Sequence, residues 1–527
     1  MAKKVKKTRL QKLKPVFQSI FIAVVGIYVA FLIYNVKDKI KFNFEPQSAE
    51  LKTSVKDEQM DNATAVNCTV DKPKKPKYWF YMARQYMWIF FSVDNVLRRL
   101  GLEKINVEIK HGEPVTLDWD LLWSYDYHNE IPLDFKNIKY HQRINHIPGN
   151  YVLTMKDHLA VNTDSKYIPK AFNDTEKLKE YAAQNPGKRF VQKLWSNRGI
   201  SLRKVEEMNF KVFGPGYKYF GQEYIEDPLL ISGRKFDFGV YVLISSVSPL
   251  RIYIYEKNVL IRLCAEDYDK NNYTNVNTYV ISDACAFPWE IDELSVYYNQ
   301  SYSYKESLNA YLTKNGYDVS RIWTQVEDCV REIVVPKEAT FKYWMHRYAF
   351  KHTFFELYRF DFILNNNLDL FLIEVNQSPN VNPSALLSRD QRLFENLLFN
   401  VFTLIGVGHY MPKEDFRFGN VEVEAMIAHE ESWTVLPETC INRPCNESCN
   451  ANEICKLCLR CMDNNKKHEL HLAYREAKNR GAMKRVFPAP AKEIAKMDEG
   501  YLNTLNVENK WLTRWYVEMC KKDADFC

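Results

Sequence analysis

The sequence predicts an α+β body over residues 111–412, preceded by a basic tail and an apolar segment and followed by a cysteine-rich region at 413–527. Three observations carry this. Runs of strand character, at 189–194, 240–245, 251–255, 359–364 and 368–375, are interleaved with helical stretches at 156–160, 175–184, 303–315 and 387–404. Residues 17–35 form an uncharged apolar run. Eight of the 12 cysteines fall in the last 88 residues.

Taken in order, residues 1–16 are a basic tail and 17–35 are long enough to span a bilayer as a helix. The apolar run lacks a small-x-small cleavage site, so it reads as a retained anchor rather than a signal peptide. Seven basic residues lie within the first 14 positions, and the more positive flank stays cytosolic. The expected topology is therefore single-pass type II, with the body in the lumen or outside. Residues 36–110 read as a lysine-rich stalk followed by an aromatic segment, Tyr78 to Leu102, expected as an amphipathic helix lying on the body or membrane surface. Net charge is only +6, and the tail supplies it, so nucleic acid is not an expected partner. Cys440, Cys445, Cys449, Cys455, Cys458, Cys461, Cys520 and Cys527 suit a disulfide module outside the cytosol. The Cys-x-x-Cys-x-x-Cys run with His468 or His471 leaves a zinc site open as the alternative. Residues 464–510 read as an exposed helical region.

The chemistry concentrates in the two runs around Asn365, Asn366 and Asn367. Asp361, Glu374 and Asn376 interrupt segments otherwise rich in Phe, Leu and Ile, where a buried carboxylate needs a cation or hydrogen bonds. Glu374 and Asn376, two apart, share one face of a strand. Asp361 joins them if the turn holds two or four residues, and turns away if it holds three. Two carboxylates and an amide oxygen suit Mg²⁺, a hard ion that keeps phosphate company, so the pattern reads as an ATP–magnesium site.

Further segments line up with this hairpin: Trp119 to Ser124, Asn145-His-Ile-Pro-Gly149, Lys156-Asp-His-Leu159, Phe190 to Ile200, Gln222-Glu-Tyr-Ile225, Pro228 to Asp237, and Phe354 to Pro379. In these segments the chain resembles the tubulin–tyrosine ligase-like family. That resemblance implies an ATP-grasp fold over roughly 111–410 and an ATP-dependent ligase that joins a free amino acid, glutamate or glycine, to a carboxylate through an acyl phosphate. It also implies tubulin tails as substrate. On this reading Lys193 sits on the nucleotide phosphates, Glu223, Tyr224 and Ile225 meet the adenine, and Lys235 and Asp237 face the ATP. Arg262 clamps an anionic group with its fork, Lys235 and Arg262 serve catalysis, and Asp361, Glu374 and Asn376 hold magnesium.

The chain also departs from the family. Its loop Ser196-Asn197-Arg198-Gly199 carries one glycine where two are usual, and Gly239 stands where the Lys-Phe-Asp-x-Arg-x-Tyr pattern has its arginine. Both changes fall on phosphate handling, which leaves a weakened ligase or nucleotide-binding pseudoenzyme open. The predicted lumenal body leaves open a ligase acting on secretory-pathway proteins rather than tubulin.

Overall fold

The structure is a computed structural model. It describes residues 75–82, 87–108, 117–127, 130–131, 137–194, 200–212, 219–272, 274–281, 285–383, 388–407, 432–494 and 499–527. The apolar run 17–35 and residues 195–199 of the one-glycine loop lie outside these. Among the described residues, no helix is long and apolar enough to cross a membrane.

Three sheets organise residues 73–527, which form one compact unit. The first, in the order β2-β1-β3-β4, is parallel and contains β1 (Lys77–Tyr81), β2 (Glu103–Lys104), β3 (Leu121–Ser124) and β4 (Arg143–Ile144). Helix α1 (Phe91–Arg99) buries Val93, Val96 and Leu97. The segment Tyr78 to Leu102 is therefore not one amphipathic helix. Its aromatic start is a strand, with Tyr78 and Trp79 sealed in the core, as suits aromatic side chains on a covered sheet.

The second sheet, antiparallel and ordered β5-β8-β6-β7, contains β5 (Ala171–Phe172), β6 (Phe190–Leu194), β7 (Ser201–Arg203) and β8 (Tyr219–Glu223). Helices α2 (Lys156–Val161) and α3 (Thr175–Gln184) precede β6. Asp174 caps α3 by accepting the amides of Glu176 and Lys177.

The third sheet runs β14-β13-β10-β11-β15, with β9 (Leu230–Ile231) and β12 (Leu260–Leu263) also pairing with β10. Its strands are β10 (Arg234–Val247), β11 (Leu250–Tyr255), β13 (Glu356–Leu364), β14 (Leu370–Gln377) and β15 (Met483–Phe487). Every residue of β13 is buried, polar ones included. Helices α4 (Tyr304–Lys314), α5 (Val319–Val334) and α6 (Ser388–Leu404) pack into the same core as this sheet. Helix α5 is not among the expected helical stretches, although Ile322, Val326, Cys329, Val330 and Ile333 repeat on one buried face and Asp318 caps it.

The region after 412 is joined to this body. Helix α7 (Asn464–Asn479) buries Leu470, Ala473, Glu476 and Ala477, and β15 pairs with β11, so the expected exposed helical stretch is neither exposed nor wholly helical. Helix α8 (Val507–Lys522) packs Trp511, Trp515 and Tyr516 into a second core. The cysteines form Cys440–Cys458, Cys445–Cys455, Cys449–Cys461 and Cys520–Cys527 disulfides. The zinc alternative at 455–461 is thereby set aside, and His468 Nδ1 lies instead at hydrogen-bond distance, 2.8 Å, from the Tyr140 hydroxyl.

Candidate active site

A cleft lies where the second sheet faces the third. It is lined by Lys193, Glu223, Tyr224, Ile225, Lys235, Asp237, Arg262, Asp361 and Glu374, with Lys156 and Ile373 beside them. Asn376 adjoins it and donates to Asp361 Oδ2 at 2.9 Å. The residues singled out from the sequence thus converge on one place.

The carboxylates share a face by a route the sequence did not reveal. The connection from Asn365 through Asp369 has an odd number of residues, with Asn365 Oδ1 accepting from the amides of Asn367 and Asp369. A regular ladder continuing from Leu364↔Leu370 and Phe362↔Leu372 would set Asp361 opposite Ile373 and turn Glu374 away. A register shift between Asp361 and Phe362 instead pairs Asp361 with Glu374 and Arg359 with Asn376. This bulge brings both carboxylates to the cleft.

Charge alternates along the floor. Arg262 donates Nε and Nη2 to Asp237 at 3.0 and 2.7 Å, and Nη2 also reaches Asp361 Oδ2 at 3.0 Å. Arg359 donates Nε and Nη2 to the two oxygens of Asp361 at 2.6 and 2.9 Å. The Arg262 fork is therefore closed on Asp237 rather than open to an anion. Lys156 Nζ lies 3.3 Å from Glu374. Across the cleft, Lys193 donates to Gln222 Oε1 at 2.7 Å, and Lys235 donates to the Tyr279 carbonyl at 3.2 Å with its ammonium 4.7 Å above the Tyr224 ring. The Glu223 carboxylate is taken by Lys188 and Tyr181, so its side chain is committed toward α3. Tyr224 N–H ends the strand pairing on Arg189 O, leaving Ile225 at the cleft edge.

Burial and neighbours set the protonation of these groups. Burial, then the Lys156 ammonium, brings Lys193 down to about 8. Burial also lowers Lys235 and raises Asp237, the latter against the pull of Arg262. Asp361 goes the other way. Burial alone would raise it, but Arg359 and Arg262 together hold it below the usual carboxylate range.

Lys156, Gln222 and Arg359 also belong to the site, although local sequence does not mark them. Lys156 was visible only as one end of a matched segment, and Gln222 as the neighbour of Glu223. Arg359 is concealed because the family pattern places its arginine at position 239. A Cβ on Gly239 would lie 2.6 Å from Arg359 Cδ, so the guanidinium side chain runs over the glycine and a buried cation is present after all.

Among the described residues, no three His, Cys, Asp or Glu side chains converge as a metal cluster. The candidate set for Mg²⁺ is instead two carboxylates and an amide, hard oxygen donors brought side by side by the hairpin. Asp361 Oδ2 accepts from three groups and Oδ1 from Arg359 alone, so Oδ1 retains acceptor capacity. These residues fit a divalent ion.

An α+β body whose cleft sets lysines opposite a carboxylate hairpin is the class that fold and site define. The tubulin-tyrosine ligase family matches residues 135–414. The probable tubulin polyglutamylase ttll-15 of Caenorhabditis elegans is 33% identical over 418 residues, covering 78% of this chain and 79% of that protein. Tubulin polyglutamylase TTLL6 of Mus musculus is 30% identical over 323 residues, 56% of this chain and 38% of its own length. Tubulin polyglutamylase TTLL13 of Homo sapiens is 29% identical over 344 residues, 60% of this chain and 40% of its own. The chain belongs to the tubulin-tyrosine ligase family. It spans most of the nematode relative and less than half of these two mammalian ones.

Proposed function

We propose that this protein is an ATP-dependent amino-acid ligase that adds glutamate or glycine to a protein carboxylate, as tubulin polyglutamylases act on tubulin. The observation that carries the reading is the single cleft holding Lys156, Lys193 and Lys235 against Asp361 and Glu374. Such an arrangement suits a triphosphate at one end and a divalent ion at the other. Lys193 and Lys235 would hold phosphate oxygens, and Tyr224 and Ile225 the adenine. Asp237 and Arg262 would orient the reacting groups. Asp361, Glu374 and Asn376 would hold Mg²⁺, which supplies charge neutralisation on the phosphates. The substrate carboxylate would take the γ-phosphoryl group, and the incoming amine would then displace phosphate to form the amide. Purified full-length protein given ATP, Mg²⁺, tubulin and labelled glutamate or glycine should incorporate label, and Glu374→Ala should abolish it. No Glu374-dependent label on tubulin removes the tubulin reading.

A second reading concerns where the substrate lies. Four disulfides favour an oxidising compartment, and with the apolar run 17–35 they support a type II anchored protein with a lumenal body. The acceptor would then be a secretory-pathway protein. Asn62, Asn173 and Asn446 each begin an Asn-x-Ser/Thr acceptor, and glycan on any of them in cells supports this reading. Unmodified sites together with digestion of the body by protease outside sealed vesicles return the substrate to cytosolic tubulin.

A further inference from the structure

Gly239 sits inside a strand whose other residues are almost all buried side chains, where a glycine forfeits packing and marks a close approach of something else. What approaches is Arg359. A Cβ at 239 would stand 2.6 Å from its Cδ, 2.9 Å from its Cγ and 3.0 Å from Asp361 Oδ1. Gly239 pairs with Asp361 across β10 and β13, while Arg359 lies two residues back on β13 and so on the same face. The arginine is 8% exposed and spends two donors on Asp361. Around Asp361 and Asp237, two guanidiniums thus balance two carboxylates.

We propose that Arg359 is the positioning residue for the metal end of the cleft, and that Gly239 is its complement. The guanidinium can reach Asp361 only across a position without a side chain, and its fork fixes the carboxylate beside Glu374. This deepens the ligase reading above and rests on it. Metal ligands are held in orientation by the groups that hydrogen-bond to them, and losing one such group typically weakens metal affinity roughly 10- to 100-fold.

The test is a swap. Full-length wild type, Arg359→Gly, Arg359→Lys, Gly239→Ala and the double variant Gly239→Arg/Arg359→Gly are compared by calorimetric ATP titration with and without Mg²⁺, and by thermal unfolding without nucleotide. The expected result is a loss of roughly 10- to 100-fold in Mg²⁺-dependent ATP affinity for Arg359→Gly, with metal-free ATP binding little changed. Gly239→Ala, which keeps the charge but displaces it, loses affinity in the same sense, and Arg359→Lys recovers part. The double variant, which returns a guanidinium from the other strand, recovers most of the loss. Wild-type Mg²⁺ dependence in Arg359→Gly overturns the inference, as does a double variant no better than Arg359→Gly while melting like wild type. If wild type itself binds no Mg²⁺–ATP, the ligase reading fails and the inference falls with it.

Discussion

Asp361 and Glu374 stand opposite each other because Ile373 is an extra residue on β14, bulged between two stretches of regular pairing. Deleting Ile373 should leave a regular ladder in which Glu374 takes its slot and still faces Asp361. Inserting one alanine between Ile373 and Glu374 should instead move the glutamate off Asp361, to the opposite face if the Ile373 bulge is kept and to a place across from Arg359 if the ladder becomes regular. Mg²⁺-dependent ATP binding is expected to survive the deletion and to be lost in the insertion. Equal behaviour of the two variants would mean that register does not set the site.

Lys193 gives the cleft a pH dependence of known sign. Burial brings its ammonium to about 8, so in the free protein it is charged below that value and neutral above it. If ATP binding needs that charge, affinity should fall past pH 8, at a limit of about tenfold per pH unit. Lys193→Arg, which stays charged, should flatten the profile. Stability moves oppositely. The unfolded chain, with its ordinary value of 10.5, binds more protons between about 8 and 10.5, so nucleotide-free stability should rise with pH across that window. Titrations and unfolding curves between pH 7 and pH 10 check both, and an affinity independent of pH removes Lys193 from the phosphate contacts.

The disulfides should be both chemical and mechanical facts of the C-terminal region. Alkylation before reduction is expected to leave Cys440, Cys445, Cys449, Cys455, Cys458, Cys461, Cys520 and Cys527 unmodified, with a metal chelator making no difference. Replacing the Cys440–Cys458 pair, separated by 18 positions, with serine should cost about 3 kcal/mol. Peptide mapping by mass spectrometry and urea unfolding read the two outcomes. Free thiols protected only by zinc would contradict the first.

Local rules reached the hairpin, α3, α4 and α6 because each writes its own signature: a cap, a helical repeat, or an apolar run broken by asparagines. They could not reach Arg359, since what places it at Asp361 is an empty position on a strand more than a hundred residues earlier. Nor did they reach the bulge at Ile373, because turn length alone sets parity only while the ladder stays regular. The aromatic start of β1 carries only a short strand signal of its own, and its place in the sheet is set by β2 and β3, which lie after it in the chain. The site was legible as a set of residue types, and its wiring was not.

Glu476 was least legible of all, a carboxylate in what reads as a solvated helix. Its Oε2 accepts from Ser245 Oγ at 2.9 Å, Arg251 Nε at 2.9 Å and the Tyr253 hydroxyl at 3.0 Å, tying α7 to β10 and β11. Arg251 is 1% exposed, and its other carboxylate partner is Glu469 at 3.0 Å. Removing Glu476 leaves a buried guanidinium half-compensated and two hydroxyls without their acceptor. Breaking a buried pair from one side typically costs about 3–5 kcal/mol, so Glu476→Ala should lower the free energy of unfolding by that amount and the urea midpoint with it. Glu476→Gln, which keeps an acceptor, should lose less. The C-terminal region then unfolds with the rest of the body rather than apart from it, and tryptophan fluorescence and far-UV circular dichroism should report one transition. A Glu476→Ala loss below about 1 kcal/mol, the range of ordinary surface substitutions, would show that the junction is not held there.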